Sequence, residues 1–308
     1  MSKSLLGQPI PAYYALGVSD PTDTRIQLPH GVLTADGAAV EFTVTPTNDV
    51  AELVRRIKMN LARTQQIIAP VGTLSLEPHF PIAFEYIDRL NTDFGKQCSL
   101  QILGCAPDEC VYFDLELPDR PDPRAYPWRT SGGHIHIQVG TSLLEDRAAL
   151  CYTVAALDSV LGTASGYLCT SQQAADRMRL YGSAGMVRTN SVLGTVEYRT
   201  LPAQALIQTE ILATHMFTAA QEVCGLMHDI YMSMSQPEAI REFEKLFGSY
   251  GEIRNSVVPA INQHDVDACR RVQESVGNRL SEYATITAVI DKLQAYVMPN
   301  DFDLHWEF

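Results

Sequence analysis

The stretch Arg129–Gly140 reads RTSGGHIHIQVG, and its alternation of polar and apolar residues predicts a β-strand. Side chains alternate between the two faces of a strand, so His134 and His136 share a polar face, and the isoleucine after each of them lies on the opposite, apolar face. Gly132 and Gly133, just upstream, lack a Cβ and leave room for a ligand or another backbone to approach. The stretch therefore predicts a strand with one functional face and one core face.

Two further stretches repeat this pattern. Ala39–Val44 (AVEFTV) places Glu41 opposite an apolar face, and Thr195–Thr200 (TVEYRT) places Glu197 and Arg199 on one face. If the three strands lie in one sheet, that face collects carboxylates, imidazoles and a guanidinium, which together suit divalent cations and anions. Burying these charges without a metal or an anionic ligand would be costly. The three stretches together predict a site for a metal and an anion.

Other polar residues are candidates for the same site. Glu77, in a short proline-flanked segment, is a candidate third source of metal ligands, and a solvated turn is the alternative interpretation. Arg177, Arg179, Arg188 and Arg199 lie close together in an otherwise acidic chain. Guanidinium groups bind phosphate and carboxylate oxygens in a bidentate way, which favours a polyphosphate or carboxylate ligand, and surface ion pairs are the alternative.

The rest of the chain is mainly helical in pattern. Apolar residues at helical spacing predict long helices over 49–68, 142–161 and 204–233. Asn48 is expected to cap the first helix, and Asp158 to face solvent on the second. A strand over 99–108, a proline-containing loop over 117–128 and further helices over 235–308 complete the pattern. We expect an α+β catalytic domain over 1–234 and a C-terminal helical extension over 235–308 packed on it.

Composition excludes some partners. The chain has 308 residues, a formal net charge of -13 and 46% hydrophobic residues, as expected for a soluble globular protein. An acidic chain is unsuited to coating nucleic acid or binding an anionic membrane, so bulk nucleic acid and a membrane are not expected partners. No stretch of about 18 apolar residues without a charge occurs, and no signal peptide is recognisable. The expected location is the cytoplasm.

Five segments in this order resemble the phage-encoded COOH-NH2 ligase (amidoligase-like) family of the glutamine synthetase and γ-glutamylcysteine ligase superfamily. They are DGAAVEF over 36–42, LGCAPD over 103–108, RTSGGHIHI over 129–137, RLYGSAGMVR over 179–188 and GTVEYRTL over 194–201. The similarity covers roughly residues 30 to 205 and leaves out the C-terminal helices.

The resemblance implies a curved, mainly antiparallel sheet whose concave face holds ATP and Mg²⁺, with helices on its convex face. It also implies an ATP-dependent reaction that joins a carboxylate to an amine through an acyl phosphate. Small molecules, peptides or proteins would supply the carboxylate and the amine, and a homo-oligomer is compatible with the family. A phage-encoded member would work in the host cytoplasm.

The resemblance and the strand faces together assign roles to residues. The residues expected to act in catalysis are Arg199, Arg188 and Glu197. Those expected to bind ATP are His134, His136, Arg179 and Arg199, and those expected to bind Mg²⁺ are Glu41, Glu77, His136 and Glu197. One departure concerns the metal: the superfamily has Glu-x-Glu on its first strand, and Thr43 stands at the second position here. Either Glu77 or Glu85 supplies that carboxylate, or the protein has one metal site fewer.

Two other functions are compatible with the sequence. The first is a non-catalytic phage protein that keeps the ligase fold for binding a nucleotide or a partner, because fold alone does not determine function. The second is a hydrolase whose metal is bound by His134 and His136. A third histidine and an aspartate on neighbouring strands would favour the hydrolase, and no convincing pair is found.

Overall fold

Antiparallel strands and a larger set of helices form this α+β protein. The computed structural model describes residues 2–4, 9–17, 24–86, 88, 109–112 and 126–308. The predicted strand over 99–108, its LGCAPD motif and most of the proline-containing loop over 117–128 lie outside these residues. The α+β class expected from the sequence is confirmed, and the sheets are antiparallel without a closed barrel.

The described strands form four sheets. The first contains β1 (Ser2–Ser4), β2 (Pro9–Ile10) and β6 (Gly72–Leu74), and the second contains β3 (Ile26–Leu28), β4 (Gly31–Asp36) and β5 (Ala39–Phe42). The third pairs β7 (His79–Pro81) with β9 (Trp128–Thr130). The fourth has the order β10, β12, β11, β8, with β8 at Glu109–Cys110, β10 at Ile135–Gln138, β11 at Met186–Asn190 and β12 at Thr195–Tyr198.

The three polar stretches do not share one hydrogen-bonded sheet. The stretches around His136 and Glu197 pair directly as β10 and β12, with these two residues opposite each other. Glu41 lies on β5, which folds back on β4 after a turn at Gly37, where φ is +56°. Such a positive φ suits glycine, and the tight hairpin gives β5 a neighbour that is close in sequence. The expectation of a single sheet is therefore wrong for Glu41.

The main helices in the described part of the chain are numbered here in chain order. They are α1 (Ala12–Ala15), α2 (Val50–Ile68), α3 (Thr141–Glu145), α4 (Arg147–Leu168), α5 (Gln172–Met178), α6 (Ala203–Ile207), α7 (Glu210–Ser233), α8 (Gln236–Phe247), α9 (250–262), α10 (Val266–Arg279) and α11 (Ala284–Ala295). Within α4 and α9, the segments Asp158–Gly162 and Ile253–Val257 are π-helical.

Polar caps divide the helices differently from the sequence prediction. Asp49, not Asn48, caps α2 by accepting from the backbone N–H groups of Ala51 and Glu52. The helix predicted over 142–161 is two helices, because the Asp146 carboxylate caps a new one. The helix predicted over 204–233 is also two, because the Thr209 hydroxyl accepts from the Leu212 N–H and starts α7. Capping by a side-chain oxygen satisfies backbone donors that would otherwise lack a partner.

Helix α4 forms the centre of the main hydrophobic core. It is long and apolar enough to cross a membrane by length and composition, but 89% of its apolar window is buried inside the fold, as in a core helix. Side chains of the C-terminal helices, such as Phe243 and Leu293, belong to the same core as β10, β12 and α4. The predicted C-terminal extension therefore packs on the rest of the chain through a shared core.

Candidate functional site

A cleft of about 660 Å³ lies against β5, β10 and the end of β12. Its polar part is lined by Glu41, His134, His136, Tyr181 and Arg199, among others. Thus residues from separate sheets face one space, as the sequence predicts for the polar face, although they do not share one sheet. Ligand sites in proteins are commonly clefts of this volume with a few polar groups.

Glu197 is the centre of the polar network. Its Oε1 accepts from His134 Nδ1 at 2.9 Å and lies 3.3 Å from Arg199 Nη1, and its Oε2 lies 3.4 Å from Arg188 Nη1. Burial acts to raise the pKa of Glu197, but the His134 hydrogen bond and the charge of Arg199 outweigh it and lower the pKa to about 2. Glu197 is therefore ionised at neutral pH, and both of its oxygens are engaged by cationic or donor groups.

His134 joins Glu197 to Tyr181. Its Nε2 lies 3.1 Å from the Tyr181 hydroxyl, while Nδ1 contacts Glu197. Burial lowers the pKa of His134 below its ordinary value of 6.5, so the ring is neutral at pH 7. The neutral tautomer consistent with both partners carries its proton on Nδ1 and accepts from Tyr181 at Nε2. Both nitrogens are then used inside the protein, which does not favour His134 as a metal ligand.

Arg199 closes this ring of hydrogen bonds. Its Nε donates to the Tyr181 hydroxyl, its Nη1 faces Glu197, and its carbon Cζ lies 5.4 Å from the centre of the Tyr181 ring. The side chain is fully buried at 0% exposure, yet it lines the cleft. Three side chains therefore hold the Arg199 guanidinium in a fixed orientation at the cleft wall: Glu197 and Tyr181 contact it directly, and His134 connects these two.

Arg177 has a role that the sequence did not indicate. Its guanidinium donates to the backbone carbonyls of Ser131, Thr200 and Leu201 at 2.8 Å each, and lies 3.4 Å from that of Arg199. It is completely buried, and burial lowers its pKa to about 10. Arg177 thus ties the segment before β10 to the segment after β12. It serves the backbone, whereas the sequence predicted an arginine cluster that binds an anion.

Asp158 is a second structural anchor behind the cleft. The expectation that it faces solvent is wrong: its side chain has 0% exposure. It accepts from the hydroxyls of Tyr112 at 2.7 Å and Tyr198 at 2.6 Å, and from the Gly185 N–H at 2.7 Å, with the Thr200 hydroxyl at 3.3 Å. Burial raises the pKa of Asp158 to about 6 despite these donors. Asp158 lies in the π-helical segment of α4. Through Tyr198 on β12 and Gly185 just before β11, it fixes the two strands next to Arg199.

Glu41 provides a different kind of carboxylate. Burial and, to a smaller extent, the nearby carboxylates of Asp36 and Glu197 together raise its pKa to about 7, against the weaker lowering effect of Arg199 and Arg188. Asp36 and Glu41 both line the cleft. A cation there would relieve this electrostatic repulsion. Glu41 is thus the described carboxylate best suited to bind a cation from the cleft.

Other predicted residues lie outside the cleft lining. Arg179 has 76% side-chain exposure and faces Asp176 at 3.4 Å, so the structure does not bring it to the polar network. Glu77 accepts from the Ser131 hydroxyl through its backbone carbonyl, and it is not part of the cleft lining. Arg188 contacts Glu197 across the strand pair without lining the cleft. Thr43, in contrast, does line the cleft, and its hydroxyl donates to the Val32 backbone carbonyl at 3.4 Å.

The carboxylates of the cleft, Glu41 and Asp36, suit Mg²⁺ bound together with nucleotide phosphates better than a metal ion held by protein ligands alone. No group of three or more His, Cys, Asp or Glu residues in the described part of the chain is arranged to hold a metal ion. Mg²⁺ usually keeps several waters and binds one or two carboxylates together with substrate phosphates. Glu41 and Asp36 meet that requirement, whereas a zinc or manganese site of the kind expected for a His-x-His hydrolase needs additional protein ligands.

Signals for the missed residues were present in the sequence. Arg177 lies three residues after Ala174 on α5, and residues three apart share one face of a helix, so an apolar position at Ala174 favours an inward direction for Arg177. Asp158 lies in a helix that is apolar on all sides, where a lone carboxylate must be buried and hydrogen-bonded.

Comparison of this chain with protein-family models, with curated proteins and with solved structures finds no match. The family resemblance therefore rests on the motifs alone, and it stays a prediction.

Proposed function

We propose that this protein is an ATP- and Mg²⁺-dependent carboxylate-amine ligase. The observation that carries the proposal is the cleft in which a buried Arg199, held by Glu197 and Tyr181, faces the same space as Glu41, a carboxylate in an anionic environment. A fixed guanidinium and a carboxylate that favours cations are the two groups that phosphoryl transfer needs.

Glu41, with Asp36 beside it, would hold Mg²⁺ between the protein and the nucleotide phosphates. When bound, the ion would supply positive charge that neutralises the phosphate oxygens. The sequence predicted that Glu197 binds Mg²⁺. In this proposal it does not, because His134, Arg188 and Arg199 already engage its oxygens. It orients Arg199, and His136, which is exposed and lines the cleft, is left to contact phosphate or substrate.

The proposed reaction has two steps. An oxygen of the substrate carboxylate attacks the γ-phosphorus of ATP, the bond to the bridging oxygen breaks, and ADP leaves. The amine nitrogen then attacks the acyl carbon, the bond from that carbon to the phosphate oxygen breaks, and phosphate leaves, while the nitrogen loses a proton to solvent as the amide forms. Arg199 would stabilise the charge on the transferring phosphoryl group, because it is already oriented before substrate binds.

Trapping with hydroxylamine tests this reaction without knowledge of the natural amine. Hydroxylamine replaces the amine and converts an acyl phosphate into a hydroxamate, which ferric iron reveals as a coloured complex. We expect a pool of carboxylic acids with ATP and Mg²⁺ to yield hydroxamate and an equal amount of phosphate with the wild type. Arg199→Lys should lower the rate by about 100-fold, because a single ammonium cannot reproduce the guanidinium contacts.

The matched control is Arg179→Lys, which changes an exposed arginine outside the cleft and should keep the wild-type rate. Phosphate release without hydroxamate in every acid pool would contradict the ligase reaction and indicate hydrolysis. Binding of ATP without any turnover would favour the alternative of a non-catalytic protein that binds a nucleotide.

A further inference from the structure

The cleft has an apolar arm that the proposed reaction does not use. The arm extends from the polar network to a space between α2, β6, α6 and α7. Its lining is almost entirely aliphatic, with Leu53, Ile57, Leu61, Leu74 and Leu206, and with Phe217 as an aromatic member. Ile57, Leu61 and Leu74 belong to a buried core cluster, while Leu53 and Phe217 are only partly buried against it. Leu53 and Phe217 therefore leave apolar surface on the cleft wall, with the buried residues packed behind them.

The polar and apolar parts of the cleft meet at the Gly132–Gly133 pair. A Cβ on Gly132 would lie 3.1 Å from His134 Nε2, whereas a Cβ on Gly133 would lie 2.5 Å from Leu206 Cδ1. The first glycine thus contacts the hydrogen-bonded ring that holds Arg199, and the second contacts the apolar arm. Glycine at these positions lets the ring and Leu206 pack against the backbone, so the polar and apolar walls of the cleft adjoin here. A single ligand in the cleft can therefore place a charged end against one wall and an apolar end against the other.

The chemistry of the arm distinguishes between an aliphatic chain and a nucleotide base. Among the described side chains that line the arm, Thr64 and Ser75 are polar; the Thr64 hydroxyl donates to the Asn60 carbonyl at 2.8 Å, and the Ser75 Oγ accepts from the Glu77 N–H at 3.4 Å. A purine carries ring nitrogens and substituents that need hydrogen-bond partners, and leaving them buried without any is unfavourable. An aliphatic chain has no such groups, and it gains free energy from leaving water.

We propose that the acid substrate of this protein is an aliphatic carboxylate, whose chain occupies the arm and whose carboxylate points toward Arg199. This inference rests on the proposed ligase function, since it assigns the acid of that reaction. The nucleotide would then bind at the polar end, near Glu41, and leave the arm to the acid.

The first test measures the binding of butanoate, hexanoate, octanoate and decanoate to the wild-type protein by calorimetry. If the chain enters the arm, affinity rises about fourfold for each added methylene, because burying one CH₂ has a known favourable free energy. The rise should end when the arm is full. Affinity that is independent of chain length would contradict the proposal, and so would an absence of carboxylate binding.

A variant that fills the arm locates the chain. Leu53→Trp adds bulk to a partly buried side chain of the arm, and we expect it to remove the chain-length dependence and to weaken decanoate binding at least tenfold. Met59→Trp is the matched control, because Met59 lies on the same helix with 39% exposure and outside the cleft. It should bind decanoate like the wild type.

ATP binding, measured on the same variants, separates this inference from the proposed function. We expect Leu53→Trp to bind ATP with unchanged affinity. Weaker ATP binding in Leu53→Trp, together with carboxylate affinity that is independent of chain length, would place the base in the arm and overturn the inference while leaving the ligase proposal intact. Chain-dependent carboxylate binding without any ATP binding would support the arm as a carboxylate site and contradict the ligase.

Discussion

Replacing Arg177 by methionine tests whether this buried arginine holds the site together. Methionine keeps much of the length and apolar volume of the side chain but removes the guanidinium, which takes the Arg177 donor away from the carbonyls of Ser131, Thr200 and Leu201, although the Leu201 carbonyl keeps the Gly133 N–H at 2.9 Å. Hydrogen bonds to a charged group contribute roughly 1.5–3 kcal/mol each to stability. The substitution should therefore destabilise the fold at the junction of β10 and β12.

Part of that loss is offset, because the buried charge has a cost of its own. Burial lowers the pKa of Arg177 from 12.5 to about 10. A change of that size corresponds to about 3 kcal/mol of unfavourable burial, which disappears with the charge. The three hydrogen bonds together outweigh this cost, and the net decrease in the free energy of unfolding is then roughly 2–6 kcal/mol, a large fraction of the stability of a typical domain.

Urea denaturation followed by circular dichroism measures this change. Arg179→Met is the control, because Arg179 lies two residues away with 76% side-chain exposure and should lose at most about 0.5 kcal/mol. Equal transition midpoints for the two variants would refute the reasoning, since they would show that the backbone contacts of Arg177 contribute nothing to stability.

Three further predictions concern the carboxylates and the histidine of the site. Glu41 has a pKa raised to about 7, so Mn²⁺ binding, measured by electron paramagnetic resonance in the presence of ATP, should strengthen from pH 6 to pH 8. Glu41→Gln should bind Mn²⁺ weakly at both values, and pH-dependent binding in that variant would contradict the assignment. Asp158→Asn replaces an anion that accepts from two tyrosines and should lower the free energy of unfolding by about 2 kcal/mol at pH 8. Because burial raises the pKa of Asp158 from 3.8 to about 6, the folded protein binds this proton more tightly than the unfolded chain, so the advantage of the wild type over Asp158→Asn should grow as the pH falls from 6 towards 4; a difference that is independent of pH would contradict the raised pKa. His134→Ala removes the hydrogen bonds to Glu197 and Tyr181 and should weaken ATP binding, whereas His134→Gln can keep hydrogen bonds there and should bind ATP more tightly than the alanine variant. Equal ATP affinity in the two variants would show that these hydrogen bonds do not contribute to ATP binding.

Alternation along short strands was enough to predict the polar face of the site. The prediction that His134 and His136 share one side of a strand, and that Glu197 and Arg199 share one side of another, is confirmed because the two strands pair with these residues on the same face. Side-chain direction in a strand depends only on the local backbone, so sequence spacing determines it.

The prediction failed where partners come from distant parts of the chain. The sequence does not show which strand pairs with which, so Glu41 was expected in the sheet of His136, although its hairpin pairs it with β4. Arg177 and Arg179 looked equivalent in the sequence, but two helical positions differ by about 200° in direction, so one is buried and the other exposed. The apolar arm was not predicted either, because it depends on how α2 and α7 pack together.

The most direct test of the central claim is ATP binding by titration calorimetry, with and without Mg²⁺, on the wild type, Arg199→Lys and Glu41→Gln. The proposed function predicts binding that requires Mg²⁺, that Arg199→Lys weakens at least tenfold, and that loses its dependence on Mg²⁺ in Glu41→Gln. Binding that is equally strong in all three proteins would place the nucleotide elsewhere, and no binding by the wild type with any divalent ion would contradict the ligase function.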